Sequence, residues 1–127
     1  MKRILTIFLL LFSINGYCEW IKVIESDSSV TFIEPSTIKR TGKTIRSWEL
    51  FNFNSPQPLG NKRFSSIKGY TETDCSEEKR RDLSSIYYSG SMGDGEVVFK
   101  YDSPGEWKYF PPDSVASSMI KLVCKTK

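Results

Sequence analysis

The first eighteen residues constrain the fold of this chain because they predict the compartment in which it folds. A Lys-Arg pair precedes a nearly unbroken apolar run at residues 4–12, which is shorter than the roughly 20 apolar residues that a membrane-spanning helix needs. The alternative, a buried N-terminal helix or strand, lacks the polar positions that would make it amphipathic. We predict that residues 1–18 are a secretory signal peptide and that residues 19–127 form one exported domain.

Cys18 has two alternative fates. Cleavage after Cys18 places Cys18 and Gly16 at the two positions where a signal peptidase accepts small side chains. Lipidation of Cys18 would require a small residue directly before it, where the chain has Tyr17, and a Leu-like residue where it has Asn15. Cleavage is favoured, the lipoprotein remains the alternative, and membrane attachment is expected only if Cys18 is lipidated.

Removal of Cys18 leaves an even pair of cysteines, Cys75 and Cys124. Exported proteins keep such pairs as disulfides because no thiol buffer reduces them. The predicted bond closes a loop of about 50 residues and would stabilise the domain by about 4 kcal/mol in the chain-entropy model. A disulfide is therefore expected between Cys75 and Cys124.

Composition argues against a nucleic-acid partner and against most enzyme classes. Lys2 and Arg3 account for two of the 18 basic residues, and the remainder nearly balance the 15 acidic ones, without the clustered excess of a nucleic-acid-binding domain. The chain has no histidine, so neither a Ser-His-Asp nor a Cys-His site can be built. We expect no nucleic-acid partner, no enzyme activity, no metal and no cofactor.

Two local patterns could still suggest chemistry. The neighbouring acids Glu77-Glu78 and Asp94-Glu96 leave a small glycoside-hydrolase-like enzyme as a weaker alternative. The glycine-rich segment at residues 89–95 lacks the Lys-Ser/Thr pair of a phosphate-binding loop. This segment is more typical of a hairpin connection between two strands.

Alternation of apolar and polar residues predicts a mainly antiparallel sheet. Strands are expected at residues 20–24, 30–33, 44–53, 64–75, 83–88 and 96–101. Residues 54–61 are expected to form a loop and residues 77–82 could begin a helix. Pro111-Pro112 precedes a predicted C-terminal helix with Asp113 or Ser114 as its N-cap. The predicted fold is α+β: five or six antiparallel strands with one C-terminal helix, which the disulfide pins to the sheet.

The densest charge cluster is Lys79-Arg80-Arg81. One interpretation is a solvated strand edge, where charges deter aggregation. The other is a patch for anionic or extracellular ligands, helped by Lys62, Arg63 and Lys68 if their strands lie side by side.

The chain also has conspicuous aromatic residues, and we interpret them as core. They are Trp20, Trp48, Trp107, Tyr109 and Phe110.

The chain resembles the surface-adhesin protein E family of Gram-negative bacteria along nearly all of residues 19–127. The segments that carry the resemblance are Trp20, Trp48-Glu49-Leu50, Tyr70 through Cys75, Arg80-Arg81, Met92-Gly93-Asp94-Gly95, Glu106-Trp107, Pro112-Asp113-Ser114 and Cys124. The resemblance implies an antiparallel sheet with a C-terminal helix, and location in the periplasm or on the outer-membrane surface.

The resemblance also implies a function and a place for it. The family's namesake binds host extracellular-matrix and serum proteins, through a stretch around the first disulfide cysteine. Carried over to this chain, that stretch places a ligand-binding site near Lys68, Lys79, Arg80 and Arg81. The expected function is a non-enzymatic protein-binding module. A periplasmic structural or envelope-maintenance protein without a host ligand is the alternative, and the sequence leaves a homodimer open.

Overall fold

A computed structural model of the chain describes residues 19–125. The predicted signal peptide, including Cys18, lies outside the described residues. The elements, in chain order, are β1 (Ile21–Glu25), β2 (Ser29–Ile33), β3 (Lys39–Thr41), β4 (Thr44–Leu59), β5 (Lys62–Asp74), β6 (Lys79–Tyr88), β7 (Val97–Tyr101), β8 (Lys108–Tyr109) and α1 (Val115–Lys125), with short 3-10 turns at Pro35–Thr37 and Ser91–Gly93. Among these residues, no helix is long and apolar enough to cross a membrane.

The strands form one antiparallel sheet in the order β1-β2-β4-β5-β6-β7. Two short strands lie off this path, because β3 pairs with β4 and β8 pairs with β6. The predicted architecture is confirmed: six principal strands, one C-terminal helix and one disulfide.

The helix α1 covers one face of the sheet near the end where β5 meets β6. Met119 and Val123 of α1 are fully buried against Ile33 of β2 and Ile45 of β4. Of the two predicted caps, Ser114 is the one used, because its Oγ accepts a hydrogen bond from the Ser117 amide at 3.1 Å. We call this side of the sheet the covered face.

The predicted disulfide is present and ties α1 to the sheet. Cys75 directly follows β5 and Cys124 lies in the last turn of α1, with their Cα atoms 5.8 Å apart. Both cysteines contact the apolar core of the covered face. The bond therefore holds the C-terminal end of the helix against the sheet.

Two segments differ from the prediction. The expected loop at residues 54–61 is wrong for its greater part, because β4 extends to Leu59 and pairs Gln57, Pro58 and Leu59 with the start of β5. The register of β4 against β5 shifts between Asn52 and Gln57. A strand tolerates proline at positions where no hydrogen bond from the backbone N–H to a neighbouring strand is needed.

The expected helix start at residues 77–82 is also wrong. The carboxylate of Asp74 accepts hydrogen bonds from the amides of Ser76 and Glu77 at 3.0 and 3.1 Å, so the chain makes a tight turn after β5. β6 then begins at Lys79. These amide hydrogen bonds, that of Glu77 foremost, lower the pKa of Asp74.

Candidate functional site

The register of β5 against β6 sends the three residues of the basic cluster to opposite sides of the sheet. Lys79 pairs with Asp74, Arg80 with Thr73, and Arg81 with Glu72. Because successive side chains of a strand point to opposite faces, Lys79 and Arg81 lie on the face away from α1 and Arg80 lies on the covered face.

We call the side away from α1 the open face. Much of it consists of aromatic residues interleaved with charged ones: Trp20, Arg46, Trp48, Lys68, Tyr70, Glu72, Lys79, Arg81, Tyr88, Trp107 and Tyr109. Leu50 and Ser66 share this face but are fully buried, and Ser66 is hydrogen-bonded to the Gly90 carbonyl and the Gly93 amide. Within residues 19–125, no helix packs on this face, although the Ser91–Gly93 turn lies at one end of it.

At one end of the open face, two cations surround one indole ring. The Nζ of Lys79 lies 5.2 Å from the ring centroid of Trp107, and the guanidinium carbon of Arg81 lies 4.6 Å from the same centroid. Tyr109 contacts Lys79 as well, with its ring centroid 6.0 Å from Nζ. The pairing of β8 with β6 places Trp107 and Tyr109 there, and cation–π contact holds the long cationic side chains in place.

Glu72 binds the arginines of this cluster. Its carboxylate accepts a hydrogen bond from Nε of Arg81 at 2.9 Å, and Nε of Arg46 lies 3.4 Å from its other oxygen. Burial alone would raise the pKa of Glu72, but hydrogen bonds from Arg81 and Thr44, together with the charges of both arginines, outweigh it and lower the pKa. Glu72 is therefore an anion that fixes both guanidinium groups on the open face.

A second cluster surrounds Lys68, about 13 Å from Glu72 along β5. The Nζ of Lys68 lies 5.3 Å from the ring centroid of Tyr88 and 5.9 Å from that of Trp20. Gly93 makes room for this side chain, because a Cβ on Gly93 would lie only 2.7 Å from Cε of Lys68. Its φ of +76° also suits glycine, so the glycine-rich hairpin supports the position of Lys68.

Stacked aromatic rings lie between the two clusters. Trp48 and Tyr70 pair across β4 and β5, with ring centroids 5.0 Å apart and planes 27° apart. Trp, Tyr and Arg are the residues most enriched among the energetic centres of protein–protein interfaces. The open face thus has the composition of a protein-binding surface rather than of a catalytic cleft.

The interpretation of the tryptophans and of residues 107–110 as core is wrong. Trp20, Trp48 and Trp107 are half-buried on the open face, Tyr109 is 66% exposed and Phe110 is 36% exposed. The signal that could have identified them is their alternation with basic residues in Trp107-Lys108-Tyr109, a pattern more typical of a strand with one exposed face than of a core.

The interpretation of the basic cluster as a solvated strand edge is wrong for Arg80. β6 is flanked by β5 on one side and by β7 and β8 on the other, and Arg80 is only 5% exposed. Its Nη2 donates to Oε2 of the fully buried Glu49, and its Nε donates to Oγ1 of Thr73 at 3.0 Å. The Arg80 guanidinium cannot contact a protein docked on the open face.

The structure brings only part of the predicted basic patch together. Lys79 and Arg81 are neighbours and Lys68 shares their face, whereas Lys62 and Arg63 lie at the far end of β5. About 40 Å of strand separates Lys62 from Asp74, the partner of Lys79. The candidate site is therefore the region around Lys68, Lys79 and Arg81 with its aromatic neighbours.

Two further observations concern chemistry. Within residues 19–125, no group of three or more Cys, Asp or Glu side chains is placed to hold a metal ion. A cavity of about 500 Å³ opens on the covered face. The acids that border this cavity are Asp82 and Glu106, not the pairs Glu77-Glu78 and Asp94-Glu96 on which the hydrolase hypothesis was based.

Comparison with known proteins gives a family and a fold. A family model described as surface-adhesin protein E matches residues 20–125. The fold is similar to that of Haemophilus influenzae protein E: its selenomethionine form matches with a TM-score of 0.64 at 13% identity, over 88% of this chain and 90% of that one. Its crystal form II matches with a TM-score of 0.62 at 12% identity, over 87% and 91% of the two chains. No curated protein sequence matches this chain.

Proposed function

This chain belongs to the surface-adhesin protein E family, and from that membership we propose that it is an exported, non-enzymatic module that binds host extracellular-matrix or serum proteins through its open face. The observation that carries the proposal is the concentration of Trp, Tyr and Arg side chains on the one face of the sheet that α1 leaves uncovered.

The energetic centre of this binding surface is the cluster around Trp107. Lys79 and Arg81 are held against the indole, and Glu72 fixes the guanidinium of Arg81. Because these side chains are already ordered, a partner loses little side-chain entropy on binding them. An acidic segment with apolar side chains is the partner surface that complements this cluster.

A binding experiment with a matched control tests the proposal. Purified wild-type protein is assayed on immobilised host matrix and serum proteins beside the double variants Lys79→Ala/Arg81→Ala and Lys121→Ala/Lys125→Ala. Lys121 and Lys125 are exposed residues of α1, so both variants lose two positive charges. Removal of two central side chains is expected to weaken binding at least tenfold, and the α1 variant is expected to bind like the wild type.

Two results would contradict the proposal. Failure of the wild type to bind any of the host proteins would remove the function itself. An equal loss of binding in the two double variants would assign the effect to net charge rather than to the open face.

The location of the protein in the cell distinguishes the adhesin from the periplasmic alternative. That alternative stays open because the residues before Cys18 are unfavourable for lipidation. Adhesion requires a protein that external protease digests on intact cells. Protein found only in the soluble periplasmic fraction would favour a structural or envelope-maintenance role. The intact mass of the exported protein would report cleavage after Cys18, any attached lipid and the disulfide in one measurement.

A further inference from the structure

The cavity on the covered face is a second candidate binding site, separate from the open face. It lies between the first turns of α1 and the strands below, with the chain at residues 105–110 as its outer wall. A hydrogen bond from the Gly105 amide to the carbonyl of Asp82 at 2.8 Å fixes that wall to β6. Its volume of about 500 Å³ is within the range of small-molecule sites. We call this cavity the cleft.

The cleft is bordered by Arg80, whose side chain has donors to spare. A guanidinium carries five N–H groups, and Arg80 uses Nε on Thr73 and Nη2 on Glu49. Nη1 has no acceptor among the described residues. Nη1 also keeps some contact with solvent. If it were fully buried, it would be a buried atom without a hydrogen-bond partner, and within residues 19–125 Oε1 of Glu49 is the one such side-chain N or O atom. Arg80 borders the cleft, so the cleft is where a ligand would reach this guanidinium.

The cleft also has an apolar wall, although polar and charged side chains line its border. Phe51 of β4 and Tyr101 of β7 contribute aromatic rings, and Val115, Ala116 and Met119 of α1 contribute aliphatic surface. A ligand that fills the cleft therefore needs an apolar body and one group that accepts hydrogen bonds from a buried guanidinium. The planar carboxylate is the group whose geometry matches a guanidinium.

The charges around the cleft favour a group with a single negative charge. At its border the cations Arg81 and Lys108 balance the acids Asp82 and Glu106, and inside it Glu49 already neutralises Arg80. Because no net positive charge is left to compensate a dianion, a carboxylate costs less to bury here than a phosphate dianion.

We propose that the cleft binds a carboxylate attached to an aromatic or aliphatic group, with the carboxylate on Arg80 Nη1 and the apolar group between Phe51, Tyr101 and α1. Two sources share this chemistry: a small organic acid and the C-terminal residue of a peptide. The site goes beyond the proposed protein-binding function, because it lies on the opposite face of the sheet and needs neither Lys79 nor Trp107.

Calorimetric titration of the purified protein with N-acetylphenylalanine and with its amide tests the proposal. We expect saturable binding of one acid molecule per chain, and affinity for the amide at least tenfold lower, since a hydrogen bond to a charged group is lost. Absence of saturable binding of the acid, or equal affinity for acid and amide, would overturn the proposal.

Variants locate the binding. Ala116→Phe places a ring in the cleft and is expected to abolish binding, whereas Ser118→Phe, at an exposed position of the same helix outside the cleft, is expected to bind like the wild type. The double variant Arg80→Met/Glu49→Leu removes the ion pair as a unit and is expected to lower affinity at least tenfold. Wild-type affinity in Ala116→Phe or in the double variant would overturn the assignment.

Peptides distinguish the two sources of the carboxylate. A hexapeptide ending in phenylalanine with a free C-terminus is compared with N-acetylphenylalanine. Tighter binding of the hexapeptide supports the proposal with a peptide C-terminus as the natural ligand, and weaker binding supports it with a small acid.

Discussion

Arg80 and Arg81 follow one another in β6 and each binds a glutamate, but the two ion pairs lie on opposite faces of one sheet. On the covered face, Arg80 and Glu49 are 6% and 0% exposed in their side chains. On the open face, Glu72 is as buried as Arg80, but Arg81 and Arg46 are 27% and 42% exposed. Two adjacent positions of one strand thus hold a structural cation, Arg80, and a cation that a partner can contact, Arg81.

The two faces teach that local charge density is a poor guide to a binding site. In the covered face, the interior beneath α1 has fully buried polar residues, Ser47, Glu49 and Thr73, beside the apolar core of Ile45, Met119 and Val123. On the open face, half-buried aromatic residues support the cations. On the covered face, Arg80 therefore stabilises the fold and borders the cleft. On the open face, Arg46 and Arg81 remain available to a partner.

The largest change in the free energy of unfolding is expected when the ion pair of the covered face is broken. Arg80→Met leaves the carboxylate of Glu49 buried without a counter-charge, and we expect it to lower the free energy of unfolding by about 3–5 kcal/mol. The matched variant Arg81→Met removes a partly exposed cation and is expected to cost about 0–1 kcal/mol. Urea unfolding of both variants, followed by tryptophan fluorescence, measures the difference.

The double variant Arg80→Met/Glu49→Leu is the control for this prediction. Replacement of a buried ion pair by apolar residues of similar size is often neutral or stabilising, so we expect it to unfold within about 1 kcal/mol of the wild type. Equal destabilisation by Arg80→Met and Arg81→Met would show that the two faces do not differ in this respect.

A smaller effect is expected from the disulfide, which belongs to the covered face alone. Cys75→Ser/Cys124→Ser removes a bond that closes a sequence separation of 49 residues and is expected to cost about 2–4 kcal/mol. The amides of α1 should lose more protection from deuterium exchange than those at the centres of β4 and β5, which follow only the loss of global stability, because the bond also holds the last turn of α1 against the sheet. An equal loss of protection in α1 and in the sheet would mean that the bond acts through global stability alone.

Much of the fold could be predicted from the sequence because its signals are local. Alternation located the six principal strands, the cysteine pair gave the bond between Cys75 and Cys124, and Ser114 was one of two predicted caps. The extension of β4 to Leu59 could not be predicted, because Pro56 and Pro58 indicate a loop unless the pairing of this segment is known.

The candidate site was harder to predict because it depends on register. Lys68, Lys79 and Arg81 lie together on the open face. Alternation in β6 predicts that Arg80 and Arg81 point to opposite faces, but it does not say which of them points to the open face until the start and pairing of β6 are known. Trp107 has the composition of a core residue and of an interface residue alike. The signal that separates these two roles is its contact with Arg81, which is 26 residues away in the chain and arises from the pairing of β8 with β6.

The smallest expected effect concerns Glu72 and sharpens the comparison through pH. The arginines that face Glu72 are Arg46 of β4 and Arg81 of β6, and its pKa in the folded protein lies below the ordinary value of 4.5. Glu72 therefore stabilises the fold fully above about pH 4.5, and this contribution is lost as the pH falls through the lowered pKa. Since both arginines are partly exposed, we expect Glu72→Gln to cost only about 1 kcal/mol at pH 7.

Acid unfolding separates this small electrostatic contribution from simple loss of packing. Because glutamine does not titrate, the stability difference between the wild type and Glu72→Gln should shrink as the pH is lowered from 7 to about 3. The control is Glu25→Gln, whose ion pair with Lys22 is exposed on both sides and whose difference from the wild type should stay near zero. A Glu72→Gln difference that is constant with pH would mean that Glu72 acts on the open face through packing, as the residues of the covered face do, and not through its charge.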